Sequence, residues 1–145
     1  MAVSPAAAVL LGSVLALAFL HFLMVLALYA TRIPAMLQMK MSARRVAEPG
    51  GRESLPAWAR NVAANYNNLA EAPTVFYAVV IAIVLLGQAD MIFAACAWAY
   101  VLLRCIHSAL QATANIIIVR FSLFVLSWAV LGVMIVRSAY FLLIG

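Results

Sequence analysis

Asn65-Tyr66-Asn67-Asn68-Leu69-Ala70-Glu71-Ala72-Pro73 runs straight into the apolar segment 74–87. Three asparagines, a glutamate and a proline at the mouth of an apolar helix are an expensive choice, because a carboxylate there must be desolvated unless a partner meets it. Asn67 and Glu71 are four apart and Asn68 and Glu71 three apart, so in helical geometry they share a face. A complementary surface on another helix is therefore expected, and locating it sets the architecture.

Of the 145 residues, 69% are hydrophobic, and the mean hydropathy is +1.14. Soluble domains average roughly 45–50% apolar residues, so this composition specifies an integral membrane protein. A span takes about 20 residues. Four apolar stretches fit, near 3–30, 68–87, 91–112 and 119–143, in one all-α four-helix domain covering 1–145. The first stretch is too long for a secretory signal core and no basic residue precedes it, so it reads as a retained span.

The net charge is +5, and five of the nine basic residues (Arg32, Lys40, Arg44, Arg45, Arg52) fall in the first loop, 31–57, with a sixth, Arg60, just past it. The positive-inside rule places that loop in the cytoplasm and both termini opposite, across the inner or plasma membrane in a bacterium. The basic balance is thereby accounted for without a nucleic-acid partner. Cys96 and Cys105 are nine apart on one helix, on nearly opposite faces. They read as small buried residues rather than a disulfide; there is no CxxC spacing and no metal is expected.

Within span one, His21 is the lone ionisable group and reads as a neutral imidazole packed on a neighbouring helix. Tyr29 suits the interface, Arg32 lies just beyond the helix end, and Pro34 is expected to kink or end the helix. Residues 35–57 form the one sizeable loop, with Glu48-Pro49-Gly50-Gly51 as a turn and Ser54 before Pro56 as the cap of the next helix. From about Leu55 to Gly87 the second helix is roughly 50 Å long, more than a hydrocarbon core of about 30 Å, so it projects beyond the membrane. Pro73 is positioned to bend it.

Gly87-Gln88-Ala89-Asp90 reads as a tight turn in which Gly ends one helix and Asp caps the next. Counting from it, Glu71 and His107 each lie about 24 Å away, at one depth. On the third span Tyr100, Arg104, His107, Ser108, Gln111 and Asn115 recur at spacings of three and four and form one polar stripe. The hairpin predicts Glu71 facing His107 and Arg104. A further turn is expected near Thr113–Asn115, since Asn tolerates left-handed geometry, which puts Arg120 on the first turn of span four at the same end. Arg137 and Tyr140 mark the far interface.

Two readings of this cluster stay open. Glu71 with Arg104 could serve only to hold helices together in lipid, the asparagines adding interhelical hydrogen bonds. Against that, Arg104, His107 and Arg120 gather around one carboxylate, and surplus cations suit an anionic ligand or a thiolate. A proton or solute path through Glu71, His107 and Arg104 would need polar groups towards the far face, where 74–86 and 91–98 offer almost none.

The stretch Asn68-Leu69-Ala70-Glu71-Ala72-Pro73-Thr74-Val75-Phe76-Tyr77 resembles the N-x-x-E…P signature in helix two of the MAPEG family, the membrane-associated proteins of eicosanoid and glutathione metabolism. Arg104-Cys105-Ile106-His107 is similar to that family's R-x-x-H, and Arg120 to the arginine opening its helix four, as in a prokaryotic-type member. The resemblance implies a four-helix protomer in a homotrimer, with glutathione as co-substrate bound at the cytoplasmic side between subunits. Arg32, Asn68, Glu71, Arg104 and His107 match residues around the glutathione site, and Arg120 the thiol-activating position. It further implies a transferase or peroxidase acting on a lipophilic small molecule that arrives from the membrane lipids. The family also has a non-enzymatic lipid-presenting member, so a lipid-binding or scaffolding role is the alternative. This chain departs from many glutathione-using members at Ala64 and Asn67, where they carry arginines, and at Gln111 and Phe124, where they carry tyrosines.

Overall fold

The computed structural model describes residues 4–144; residue 3, where the first span was expected to begin, lies outside them. Every regular element is a helix among these residues: α1 Pro5–Gln38, α2 Ala43–Ala47, α3 Ala57–Glu71, α4 Thr74–Leu85, α5 Met91–Ala112 and α6 Ile117–Ile144. Four helical stretches, with α3 and α4 counted as one, are long and apolar enough to cross a membrane. The protein is a multi-pass integral membrane protein.

Helix α5 is the central rod. Nine of its residues are buried, more than on any other helix, and they include the polar Arg104, His107, Ser108 and Gln111. Around it Leu10 and Leu17 of α1, Leu69 of α3, Phe76, Val80 and Ile83 of α4, and Leu131 and Met134 of α6 close the apolar core. Lipid tails are as apolar as leucine, so this packing is stabilised by close contact rather than by escape from water. The Phe76 and Tyr100 rings stack at 4.4 Å and 4°. The Trp98 indole donates to the Val9 carbonyl at 3.1 Å, fastening α5 to α1. Outward faces of α1 and α6 expose Phe19, Phe22, Leu26, Val136 and Leu143, among others, for lipid or a second protein surface.

The turns follow local chemistry. Gly87 takes φ +68° after α4, and Asp90 caps α5 by accepting from the Phe93 N–H at 2.8 Å. Asn115 takes φ +49° between α5 and α6. Pro73 has no N–H to offer the Leu69 carbonyl, and the helix is interrupted there, the Thr74 hydroxyl donating to the Glu71 carbonyl at 2.8 Å.

Three expectations are corrected. Helix α1 passes through Pro34 to Gln38, so Arg32 lies within the helix rather than beyond it. A proline forfeits one main-chain bond, and the last turn is held instead by Ala35, buried with Val46, Leu55 and Ala59. The expected loop 35–57 is shortened accordingly and contains α2, capped by Ser42 accepting from the Arg45 N–H. Ser54 does not cap α3: the extended Pro56 occupies that position, and the Ser54 hydroxyl donates to the Gly51 carbonyl at 2.7 Å.

Candidate functional site

Polar side chains of α3, α5 and α6 converge at the end of the bundle that carries the basic loop. Helix α3 buries Ala59, Val62, Asn65 and Leu69, the three-and-four spacing of an inward stripe. Asn68, beside that stripe, accepts a hydrogen bond through Oδ1 from Arg104 Nη2. Arg104 is fully buried, with Nε and Nη1 unpartnered in the protein, and its guanidinium lies 6.0 Å from the Phe124 ring centroid. Tyr100 and Ser108, one turn to either side on α5, bury unpartnered hydroxyls, and Asn65 buries an unpartnered Oδ1. This is a polar interior with a cation at its centre and no carboxylate paired to it among the described residues.

A second set of contacts joins α5 to α6. His107 Nδ1 is 3.0 Å from the Arg120 carbonyl oxygen, and Nε2 is 3.0 Å from Gln111 Oε1. A carbonyl only accepts, so Nδ1 carries a proton; a neutral ring then accepts at Nε2 from the Gln111 amide turned to present its NH2 group. The Arg120 guanidinium donates to Asn115 Oδ1, and Asn115 Nδ2 donates to Asn61 Oδ1 at 3.1 Å. Asn115 thus turns the chain and ties the first turn of α6 to α3. The sequence pattern predicts Asn115 as a turn residue; its bridging role, and the part of Asn61, are additions from the structure.

Glu71 is where expectation and structure part. The carboxylate was expected against His107 and Arg104, but Glu71 is exposed and forms no ion pair among the described residues. Asn68, not Glu71, meets Arg104. The reason is rotational: Asn68 and Glu71 differ by about 60° around a helix of 3.6 residues per turn. Glu71 falls in line with Arg60, Ala64 and Asn67, all exposed, whereas Asn65 and Asn68 turn inward. Arg32 also stands apart, in a cavity of about 410 Å³ between α1, α3 and the loop that Arg52, Arg60 and Asn67 line as well. His21 packs on Tyr66 at 5.2 Å between ring centroids.

The other end of the bundle holds an ion pair that the sequence reading did not assign. Arg137 donates from both terminal nitrogens to Asp90, at 3.0 and 2.6 Å, while its guanidinium lies 4.3 Å and 4.7 Å from the Phe93 and Phe141 ring centroids. The Ser138 hydroxyl donates to Gln88 Oε1 at 2.6 Å beside it. Counting would have found the pair: seventeen residues separate Arg120 from Arg137, about 25 Å of helix, which returns Arg137 to the depth of the Gly87–Asp90 turn. The Arg137 hydrogen bond holds the Asp90 carboxyl below the usual carboxylate range, partly offset by desolvation.

With four spans and this ordered polar set in place, the comparison with protein families is decisive: the MAPEG family model matches residues 10–140, nearly the whole chain. The chain belongs to the MAPEG family. Comparison with individual characterised proteins and with solved structures returns no significant match. The MAPEG membership covers both clusters at the loop end, since Asn68, Glu71, Arg104, His107 and Arg120 all fall inside the matched range. Among the described residues, no group of His, Cys, Asp and Glu is arranged to hold a metal ion.

Proposed function

We propose that this MAPEG protein is a glutathione-dependent transferase or peroxidase acting on lipophilic electrophiles, with the loop end of the bundle, facing the cytoplasm, as its thiol site. The observation that carries the reading is the fully buried Arg104, which has two unpartnered nitrogens and no carboxylate paired to it among the described residues. Arg120 stands near the same helices on the first turn of α6, its guanidinium engaged, among the described residues, only through the neutral Asn115. A thiol with a pKa of about 8.5 is mostly protonated at neutral pH, and a guanidinium beside it favours the nucleophilic thiolate. Arg120 would be that cation. Asn68, Arg104 and His107 would order the polar wall behind it, and Arg32 would take a carboxylate of the tripeptide.

Glu71, turned to the outside of the protomer, suits a ligand or a neighbouring copy better than it suits α5. A homotrimer with the tripeptide between subunits would give that carboxylate the partner that a single chain lacks. The electrophile would enter from the bilayer and the thiol from the water, which accounts for a polar site at a helix end. The test is equilibrium binding of glutathione to purified protein, with Glu71→Gln beside it. Saturable binding weakened at least tenfold by the substitution is expected; no binding at millimolar glutathione overturns the reading.

A second reading has an observation of its own. His107, Gln111, Arg120, Asn115 and Asn61 satisfy one another without any ligand. In a lipid-binding or scaffolding protein that network would only hold α3, α5 and α6 in register. Replacing Arg120 would then change thermal stability and leave glutathione without effect on either protein.

A further inference from the structure

Span two is built in two halves, α3 and α4, and the break between them at Pro73 is complete. The Ala72 N–H bonds the Asn68 carbonyl at 3.0 Å, and the Tyr77 N–H bonds the Pro73 carbonyl at 3.1 Å. Between these two bonds, among the described residues, no main-chain bond joins 69–72 to 74–76, where an unbroken helix would place one per residue. The proline ring removes one donor and displaces the turn before it. The joint is bridged instead by the Thr74 hydroxyl, which donates to the Glu71 carbonyl at 2.8 Å.

The two halves are also anchored differently. Helix α4 buries Phe76, Val80 and Ile83 completely in the main core, whereas α3 gives that core Leu69 alone. Its other inward contacts are Ala59 in the small cluster under the loop, and asparagines. Asn65 donates to the Met24 sulfur at 2.9 Å, and a thioether is a weak acceptor. Asn65 Oδ1 and His21 Nε2 of α1 stay buried without a partner. Contacts of this kind are exchanged for water at low cost, and the orphaned atoms gain by the exchange. Asn65 lies about 33 Å along the helix from Gly87, at the limit of a hydrocarbon core of about 30 Å, so most of α3 stands where water can reach it. On its outer side lies the cavity of about 410 Å³ between α1 and α3. Movement of α3 would also reach the guanidinium groups of Arg104, through Asn68, and of Arg120, through Asn61 and Asn115.

We propose that Pro73 is a hinge on which α3 swings as one body away from α1, opening and closing the cavity between them while α4 stays fixed in the core. For its ligand the inference rests on the thiol reading, in which this cavity admits glutathione; the swing itself does not depend on that reading.

The experiment is hydrogen–deuterium exchange of the purified full-length protein in detergent, read by mass spectrometry, for the parent and for Pro73→Ala, which restores the missing donor. In the parent the amides of 61–71 should exchange together, about tenfold or more faster than those of 77–85, and Pro73→Ala should slow the first group several-fold and leave the second as it was. An α3 as protected as α4, a gradient of exchange running inward from residue 57 as in a fraying end, or the same α3 rate in both proteins would overturn the proposal. A second measurement needs no change at the proline. Asn65 is fully buried, so in a Cys96→Ala/Cys105→Ala background Asn65→Cys should react with a charged maleimide only through opening. Labelling slower than that of Ala64→Cys on the exposed face, yet complete, is expected; no labelling of Asn65→Cys where Ala64→Cys reacts would overturn the swing. Glutathione bound in the cavity should slow α3 exchange in the parent. A parent whose α3 swings as described but ignores millimolar glutathione would support the hinge and count against the thiol reading alone.

Discussion

The two ends of the bundle treat charge in opposite ways. At the hairpin turn one carboxylate meets one guanidinium: Asp90 and Arg137 pair through two hydrogen bonds, with Phe93 and Phe141 beside the cation. At the loop end Arg104 and Arg120 rest on the neutral side chains of Asn68 and Asn115, Arg32 shares a cavity with two more arginines, and Glu71 faces outward. A balanced pair of this kind completes itself and needs nothing from outside. Surplus cation suits an anion, and the proposed thiol site lies at that second end.

The largest effect should come from unbalancing the interior further. Among the described residues, Asn68→Leu removes the only acceptor of the buried Arg104 guanidinium, and loss of a charge-assisted bond there should cost about 2–3 kcal/mol of stability. Adding Arg104→Met in the same chain should recover most of that loss, since an unpaired buried cation is worse than an apolar side chain of similar length. Thermal unfolding in detergent of the two variants measures this, and equal stability of Asn68→Leu and the parent would break the assignment.

At the opposite end the effects should be smaller and purely structural. Asp90→Ala deletes both the cap of α5 and the partner of Arg137, a loss of about 1–2 kcal/mol. Asp90→Asn can still accept from Phe93 and should lose no more than about 1 kcal/mol, the half-exposed pair being worth little. Neither substitution should alter glutathione binding. A change in affinity would mean that the two ends are coupled.

Acid gives the finest distinction. Arg137 lowers the Asp90 pKa in the folded protein, so its contribution is fully present above the unfolded value of about 3.9 and is lost as pH falls through the folded value. The parent should therefore lose stability below about pH 4 more steeply than Asp90→Asn. Parallel acid profiles for the two proteins would show that the pair contributes nothing measurable.

Much of this contrast could be read from the chain itself. The polar stripe of α5 lies inward, with Tyr100, Arg104, His107, Ser108 and Gln111 all buried, because spacings of three and four fix a helical face; Asn115, counted into the same stripe, instead falls past the end of α5, where its positive φ makes the turn. Gly87, Asp90 and Asn115 declared their turns through backbone preference and capping chemistry. Glu71 could not be placed in the same way. Three residues of separation from Asn68 leaves about 60° of rotation, enough to put one side chain in the core and the other on the surface, and the direction depends on how α3 packs. Pro34 was misleading for a related reason, since the tertiary cluster around Ala35 outweighs one missing main-chain bond. The Asp90–Arg137 pair joins residues 47 apart and required two helix lengths, α5 and α6, to be counted together.

The most direct measurement of the central claim is the ultraviolet absorbance of thiolate on adding glutathione to the detergent-purified protein, compared with Arg120→Ala. The account predicts a saturable rise in the parent at neutral pH and none in the variant. A rise of equal size in both proteins, or no rise in the parent, would contradict it.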